Sequence, residues 1–263
     1  MSDDKTRTKE SKSAGEKSAA PTGQISSGLF DSLPASPRLW TELGLDGEHG
    51  RFAPPLFQEQ DSGIIIDPGD LYTRRDLTSG EQLCISLIKG RVLELGAGFG
   101  RVSHSLRELG LDVVTTDADP ELVAMYRARG WQDACEVRLP DVPASLGKFD
   151  TIIALRGVLS MSGEIDQVHL SLQRNQQLLN PGGRLIFTSG NVNPVVTTPG
   201  RSPLEYNIRF IYRGNRSPWI KFTALPDWLA VPFLRGLGFI TIETFVPQSP
   251  DGAGYYAFAQ LGG

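Results

Sequence analysis

The stretch Val92-Leu-Glu-Leu-Gly-Ala-Gly-Phe-Gly-Arg101 decides the fold of this chain. Its first four residues are typical of a buried strand, although the strand carries an acid, Glu94, near its end. Glycine follows at positions 96, 98 and 100. Because glycine lacks a Cβ, it allows a sharp turn and lets a ligand lie against the backbone. The stretch therefore predicts a strand, a ligand-binding turn and a helix, with a nucleotide-like ligand as the first hypothesis.

From Arg91 onward the chain repeats strand, turn and helix. The apolar segments that predict strands are Val92–Leu95, Leu111–Thr116, Cys135–Val137, Phe149–Leu155, Arg184–Ser189, Gly238–Phe245 and Tyr255–Leu261. The segments between them that predict helices are Val102–Leu109, Asp119–Arg129, Glu164–Leu179 and Pro226–Leu237. Strands that are apolar almost throughout indicate a parallel sheet covered by helices on both faces. We therefore expect a doubly wound α/β domain.

The flanking segments differ in composition from this domain. Residues 1–27 hold almost no large apolar side chain, so we expect a disordered tail. Residues 28–90 gain apolar side chains and predict an N-terminal lid, with a helix over Leu71–Ile88. Within the domain at 91–263, alternation over Glu205–Tyr212, a turn and a return over Trp219–Phe222 predict a substrate hairpin at about 200–224.

Composition excludes several classes of function. The formal charge of −4 and a pI near 5.5 argue against a nucleic-acid partner. Two cysteines and three histidines, without a ligand-like spacing, predict no metal site. No apolar run approaches the about 20 residues of a membrane span, and the charged N-terminus lacks the apolar core of a secretory signal. We expect a cytoplasmic protein, monomeric or homodimeric, that acts on a small molecule or a peptide.

Asp117 adds a second feature to the predicted site. It ends the second predicted strand, and ligands of such sheets bind beyond the carboxyl ends of the strands. An acid there accepts the ribose hydroxyls of an adenosine, which suits both NAD and S-adenosylmethionine. The dinucleotide motif Gly-x-Gly-x-x-Gly requires glycine at the position of Arg101, so the glycine spacing disfavours NAD.

Glu94-Leu-Gly-Ala-Gly-Phe-Gly100 resembles the first motif of class I S-adenosylmethionine-dependent methyltransferases. Later segments resemble further motifs of that family in the same order: Asp117, Phe149-Asp150, Asn180-Pro-Gly-Gly-Arg-Leu-Ile186 and Leu237-Gly-Phe239. The resemblance covers about Arg91 to Leu261 and is nearest to bacterial enzymes that tailor small-molecule or peptide natural products. It implies a Rossmann-like, mostly parallel seven-stranded sheet with an antiparallel last strand, and S-adenosylmethionine as the cofactor.

The resemblance also implies roles in cofactor binding. Glu94 lies near the methionine amino group in this family, Asp117 holds the ribose and Ala118 flanks the adenine. Glu136 is the first candidate for the acid near the adenine amine, and Asp141 the second. The remaining candidates are Gly96, Ala97, Gly98 and Gly100 of the loop, Arg101 after it, Leu155 on the sulfonium side and Tyr72 over the cofactor.

The acceptor site is expected between the N-terminal segment and the predicted hairpin. The candidate substrate residues are Arg156, Tyr206, Arg209, Tyr212 and Trp219, although a hairpin with solvated arginines explains the same pattern. No histidine is placed convincingly at the carboxyl end of the sheet, so the catalytic residue is unassigned, with Tyr72 and His169 as weak candidates. An amine acceptor needs only to lose one proton, whereas a hydroxyl needs a base during the reaction. We therefore favour an amine over a hydroxyl, with a ribosomally made peptide as one candidate substrate.

Two alternatives to methyl transfer remain open at this point. The chain could be a cyclase that uses the same fold and holds S-adenosylmethionine structurally, or a non-catalytic assembly partner in a biosynthetic pathway. The complete set of Glu94, the loop glycines and Asp117 argues against a fold that has lost its cofactor. It does not distinguish a methyltransferase from a cyclase.

Overall fold

The computed structural model describes residues 56–66, 76–190, 204–246 and 254–263. Its first elements are β1 (Leu56–Glu59), β2 (Ile65–Ile66), α1 (Ser79–Ser86), β3 (Val92–Glu94), α2 (Arg101–Glu108), β4 (Val113–Asp117), α3 (Pro120–Ala128), β5 (Cys135–Glu136) and β6 (Phe149–Ala154). They are followed by α4 (Ile165–Leu178), β7 (Leu179–Ser189), β8 (Glu205–Tyr212), β9 (Asn215–Arg216), β10 (Ile220–Thr223), α5 (Asp227–Gly236), β11 (Phe239–Phe245) and β12 (Tyr255–Leu261). Short 3-10 helices flank β6 at Ala144–Leu146 and Leu159–Ser162.

A seven-stranded sheet with the order β11-β12-β7-β6-β3-β4-β5 forms the centre of the molecule. Strand β12 runs antiparallel to both of its neighbours, while the other pairings in the sheet are parallel. On β3, Leu93 pairs with Val114 on one side and with Ile152 on the other. Chain order reverses at β3, so the turn after this strand lies where ligands bind in open α/β sheets. The predicted fold class, including the antiparallel last strand, is confirmed.

Side-chain caps determine where two helices begin. Helix α1 starts at Ser79 because Thr78 and Glu81 form a reciprocal capping box, with the Thr78 Oγ1 accepting from the Glu81 N–H and a Glu81 carboxylate oxygen accepting from the Thr78 N–H. The described helix is thus shorter than the one predicted over Leu71–Ile88, whose residues 71–75 lie outside the described ranges. Helix α3 begins at Pro120, one residue after the predicted start, with Asp119 as its cap.

The segment before the fifth parallel strand differs from the prediction. The sequence predicts a helix up to Leu179 and a strand only from Arg184, but β7 is already extended from Leu179, directly after α4. The Asn180 side chain donates to an Asp150 carboxylate oxygen at 2.9 Å, and the pairing with β6 shifts register between Phe149 and Thr151. This anchor holds the segment along β6, and the extra residues form an irregularity in the strand rather than a separate turn.

A second, antiparallel sheet joins the N-terminal segment to the insertion after β7. Its strand order is β10-β8-β1-β2, with β9 paired to β8. The hairpin of β8 and β10 was predicted, whereas β1 and β2 were not. Phe57 of β1 pairs with Phe210 of β8, and their ring centroids lie 4.6 Å apart. The lid and the hairpin therefore share one sheet.

The main core fills the space between the seven-stranded sheet and its helices. Leu93, Ile152, Leu172 and Phe187 are fully buried there. In the ranges that the structure describes, no helix combines the length and the hydropathy that crossing a membrane requires.

Candidate functional site

A cleft of about 730 Å³ opens beyond the carboxyl ends of β3, β4 and β6. One part is lined by the glycine loop and the residues after β4 and β6, and the opposite part by residues of the second sheet. The side chains that line it from the first part include Glu94, Ala97, Arg101, Asp117, Ala118, Leu122, Arg138, Leu139, Leu155 and Arg156. The cleft therefore combines the predicted ligand loop with the predicted substrate segment.

The glycines of the loop have positive φ angles but different surroundings. Gly96, Gly98 and Gly100 have φ of 60°, 60° and 72°. A Cβ on Gly96 would lie 2.4 Å from Val158, and one on Gly100 would lie 2.6 Å from Trp131. A Cβ on Gly98 would meet nothing within 4 Å. Gly96 and Gly100 are thus required by packing as well as by the turn, whereas Gly98 leaves open space along the cleft.

Asp117 is tied to the loop through its carboxylate. One oxygen accepts from the Gly98 N–H at 3.0 Å, and the other accepts from the Asp119 N–H at 3.0 Å. Burial raises the pKa of Asp117 to about 6, in spite of these bonds, which lower it. The carboxylate lines the cleft with further lone pairs that can accept hydrogen bonds from a ligand.

Glu94 is buried at the end of β3, with 4% of its surface exposed. Ser103 donates its hydroxyl to one carboxylate oxygen and lies 2.7 Å from the Thr115 hydroxyl. Within the described ranges no basic side chain forms an ion pair with Glu94, so a structural ion pair with an arginine does not explain this acid. Burial raises its pKa to about 7, with smaller contributions from the Glu81 and Asp117 charges. A buried acid without a cationic partner is suited to a cationic ligand.

Glu81 is a residue of this site that the sequence analysis missed. Its side chain is 2% exposed, and one carboxylate oxygen receives Arg101 Nη2 at 2.5 Å and Arg156 Nη2 at 2.7 Å. Both arginines line the cleft. The capping-box spacing of Thr78 and Glu81 was a signal for the start of a helix. It gave no sign of the two ion pairs, which join parts of the chain that are distant in sequence.

Arg156 itself has a backbone conformation that is rare for residues other than glycine. Its φ is 59°, and that of the following Gly157 is 71°. Gly157 donates its N–H to the Thr188 hydroxyl at 3.0 Å, which fixes this corner against β7. Strained backbone of this kind persists where the surroundings hold it, and it is concentrated at functional sites.

The second sheet and its neighbours supply an apolar part of the cleft, which we call the acceptor wall. It consists of Phe99, Met161, Phe210, Pro218, Trp219 and Ile220. Ser217 also lines this part, but its hydroxyl accepts from the Phe210 N–H at 3.0 Å and donates to the Pro218 carbonyl at 2.8 Å. This part of the cleft is therefore dominated by aromatic and aliphatic surface.

The structure brings ten of the predicted residues to the cleft. They are Glu94, Gly96, Ala97, Gly98, Arg101, Asp117, Ala118, Leu155, Arg156 and Trp219. Gly100 is not part of the lining; it is the N-cap of α2 and packs against Trp131. Tyr72 lies outside the described residues.

Several predicted residues are placed elsewhere. Glu136 is exposed on β5, and its competitor Asp141 forms an ion pair with Arg174, so neither lines the cleft. His169 is exposed on α4 and stacks on Phe233 with ring centroids 4.5 Å apart. The resemblance suggested Glu136 or Asp141 for the adenine, and His169 was a weak catalytic candidate, but all three side chains lie outside the lining of the cleft.

The predicted substrate residues of β8 also have structural partners. The Tyr206 ring packs against Phe222 in a tilted arrangement with centroids 5.1 Å apart, and Tyr212 is buried with Phe210 in a small cluster within the second sheet. Arg209 bonds to the Gln58 side chain at 2.9 and 2.6 Å and stacks on Trp219 at 4.3 Å. None of the three lines the cleft itself, but Arg209 packs on Trp219, which does line it.

The sequence of this chain is similar to known methyltransferases. Residues 93–185 match a family model described as "Methyltransferase domain". A ubiquinone biosynthesis O-methyltransferase of Xanthomonas oryzae pv. oryzae is 29% identical over 153 residues, which cover 55% of this chain and 62% of that relative. The chain thus spans about three fifths of the length of the curated relatives that it matches first.

Solved structures support the fold more broadly. A SAM-dependent methyltransferase from Bacteroides fragilis, in complex with S-adenosyl-L-homocysteine, has a TM-score of 0.70 at 22% identity and covers 88% of this chain and 97% of that chain. A glycopeptide N-methyltransferase, also with S-adenosyl-L-homocysteine, has a TM-score of 0.51 at 19% identity and covers 70% and 89% of the two chains. The chain has the fold of SAM-dependent methyltransferases, for which S-adenosylmethionine is the expected cofactor.

The residues of the cleft fit this cofactor. The open space beside Gly98 accommodates a ligand along the loop, and the Asp117 carboxylate can accept from two ribose hydroxyls. Buried Glu94, in its ionised form, can offer a negative charge to the methionine ammonium group. Leu122, Val137 and Leu139 form an apolar surface beside Ala118 that suits the adenine, in place of the acid that the sequence analysis expected there.

Proposed function

We propose that this protein is a SAM-dependent methyltransferase that transfers a methyl group to an amine of a small molecule or peptide natural product. The observation that carries this proposal is the continuity of the cleft. Its loop and acids suit the cofactor, and the acceptor wall lines the same cavity. A methyl donor and an acceptor can therefore meet within one cavity, which a protein that only stores the cofactor does not need.

The contribution of the protein is to bind, orient and exclude water. Bound S-adenosylmethionine would supply an electrophilic methyl group on its sulfonium. Glu94 and Asp117 hold the two ends of such a ligand, while Gly98 keeps the space between them open. The second sheet covers the cleft with apolar side chains. Holding two reactants in line lowers the barrier by about 7–11 kcal/mol in well-aligned systems.

The amine acceptor is supported by the side chains of the cleft. In the described part of its lining, the carboxylates are Glu94, Asp117 and Asp119, all in the part that suits the cofactor, and no histidine is present. An amine that is already uncharged requires no base, whereas a hydroxyl would require one. A hydroxyl is the second candidate, because the relative from Xanthomonas oryzae is named as an O-methyltransferase.

Methyl transfer can be tested with S-adenosylmethionine labelled with ¹³C in its methyl group. We would incubate the protein and this donor with a small-molecule extract and analyse the products by ¹³C NMR. We expect S-adenosylhomocysteine together with a labelled N–CH3 signal, and a loss of at least tenfold in Asp117→Ala, because one good ribose contact contributes more than about 1.4 kcal/mol. The matched control is Asp133→Ala, which removes an acid that is ion-paired with Arg107 and lies outside the lining of the cleft.

The other outcomes separate the competing functions. A labelled O–CH3 signal would assign a hydroxyl acceptor. Binding of the donor without formation of S-adenosylhomocysteine would support the cyclase or the assembly partner and contradict methyl transfer. Equal rates for Asp117→Ala and the control would contradict the ribose assignment.

A further inference from the structure

The side chains of the acceptor wall indicate which chemical class of acceptor it favours. Trp219 is 38% exposed and contributes the largest ring of the wall. Exposed tryptophan in a cavity is a common anchor for aromatic ligands, but it is also a common binding site for cations. The surroundings of this ring decide between the two.

A cationic side chain of the protein already packs on the Trp219 ring. The Arg209 guanidinium lies 4.3 Å from the centroid of its ring. Gln58 fixes that guanidinium through bonds of 2.9 Å to Nε and 2.6 Å to Nη2. Gln58 and Arg209 are also paired residues of β1 and β8, so the arrangement is built into the second sheet. A second cation on this indole would be repelled by the first.

The remaining residues of the wall offer no compensation for a charged acceptor. Phe99, Met161, Phe210, Pro218 and Ile220 are apolar, and the hydroxyl of neighbouring Ser217 is engaged with the backbone. Moving an ammonium group from water to such a surface without a partner is costly. Arg156 also lines the cleft, but its guanidinium is paired with the buried Glu81 carboxylate and provides no negative charge for a cationic acceptor.

We infer that the acceptor wall binds a neutral aromatic ring, and that the methylated amine is attached to this ring. The inference rests on the proposed function and specifies its substrate class. An amine on an aromatic ring is uncharged at neutral pH, because its lone pair is delocalised into the ring. Such an acceptor needs no base before the transfer, in agreement with the absence of histidine from the described lining of the cleft. Its nitrogen lone pair would form the N–CH3 bond as the S–CH3 bond breaks and S-adenosylhomocysteine leaves, and the methylated nitrogen would then release one proton to water.

Four small probes separate ring flatness from charge. Aniline and phenol are flat and neutral, cyclohexanol is neutral but puckered, and cyclohexylamine is puckered and cationic. Binding to the full chain would be measured by ligand-observed NMR with saturating S-adenosylhomocysteine. We expect aniline and phenol to bind in the millimolar range that is usual for ligands of this size, at least threefold more tightly than cyclohexanol, and cyclohexylamine to bind most weakly.

Variants of Trp219 test whether this ring is responsible. Trp219→Leu keeps an apolar side chain and should lower the affinity for aniline roughly threefold to tenfold, the range expected for one aromatic pair. Trp219→Phe keeps an aromatic ring and should restore most of that affinity. Trp228→Leu is the matched control, since Trp228 is 63% exposed on α5 and is not part of the cleft.

The results can overturn the inference without overturning the proposed function. The inference fails if cyclohexylamine binds as tightly as aniline, if aniline does not bind, or if Trp219→Leu and Trp228→Leu behave alike. Affinity for S-adenosylhomocysteine, measured by calorimetry on the same samples, reports on the cofactor site independently. If the wild-type protein does not bind S-adenosylhomocysteine, the proposed function itself is contradicted.

Discussion

At the scale of single residues, Glu94 is the most informative side chain. In the sequence it is an acid in an apolar strand. In the structure its carboxylate is buried and accepts from a hydroxyl, and no basic side chain among the described residues pairs with it. Its position beside the loop gives it access to the cleft. An acid kept in this environment costs stability in the free protein, which is consistent with a role in ligand binding.

The pH dependence of stability should reveal this cost. The pKa of Glu94 is raised in the folded state from its ordinary value of 4.5 to about 7. The folded protein therefore binds more protons than the unfolded chain between these values, and the contribution of Glu94 to stability falls as the pH rises through them. Glu94→Gln removes this titration. Urea unfolding of both proteins from pH 5 to pH 8 should show wild type losing about 2 kcal/mol relative to the variant.

The comparison of the two proteins isolates Glu94 from the other titrating groups. Asp117, whose pKa is also raised, is present in both and contributes similarly to each curve. If the free energies of unfolding of the two proteins change in parallel from pH 5 to pH 8, the pKa of Glu94 is not raised by burial in the folded state.

At the scale of elements, the loop between β3 and α2 shows that three similar glycines have different roles. All have positive φ, but only Gly98 has open space where a Cβ would be. Gly96 allows Val158 to approach, and Gly100 allows Trp131 to approach. The motif in the sequence does not distinguish these roles, because each depends on residues that arrive from other parts of the chain.

Alanine substitutions should separate backbone strain from ligand contact. Gly98→Ala and Gly110→Ala introduce a Cβ at φ of 60° and 77°, with no atom within 4 Å of either. Both should lose about 1–2 kcal/mol of unfolding free energy in urea. Only Gly98→Ala should weaken the binding of S-adenosylmethionine, measured by calorimetry, because Gly110 lies at the other end of α2, away from the cleft.

Gly96→Ala extends the same series. Its Cβ would lie 2.4 Å from Val158, so it should destabilise the fold more than the other two variants. If Gly98→Ala and Gly110→Ala bind the cofactor equally well, the ligand does not lie along Gly98.

At the scale of the whole molecule, the cleft lies between two sheets whose buried clusters differ in size. The main core includes fully buried residues on several strands, whereas the cluster within the second sheet has only Phe210 and Tyr212 as buried members in the described ranges. Regions with fewer buried contacts open at lower free energy. Under the proposed function, this difference would let the second-sheet side of the cleft open to admit and release the acceptor.

Hydrogen exchange should show this hierarchy. Without ligand, amides of β8 and β10 should exchange before those of β3 and β6, because the second sheet opens while the main sheet stays folded. S-adenosylhomocysteine should slow exchange in the glycine loop and, less strongly, in β8 and β10, which contribute Phe210 and Ile220 to the same cleft. Peptide-resolved mass spectrometry measures both effects. Simultaneous exchange of the two sheets would indicate a single cooperative unit instead.

The amino-acid sequence by itself determined the α/β fold, the ligand loop and the position of Asp117 at the cleft. These features depend on local patterns: apolar strands, glycines at a fixed spacing, and an acid at a strand end. The sequence also indicated the hairpin of β8 and β10 through its alternation.

Only the tertiary structure decided which residues share the cleft. The pairing of β1 with β8, the Glu81 bridge between Arg101 and Arg156, and the Arg209 cation on Trp219 all join segments far apart in the chain. The same holds for Glu136 and His169, whose elements direct them away from the site. Local periodicity specifies the type of element and its buried face, but contacts between distant segments depend on how the elements pack, and packing is a property of the whole chain.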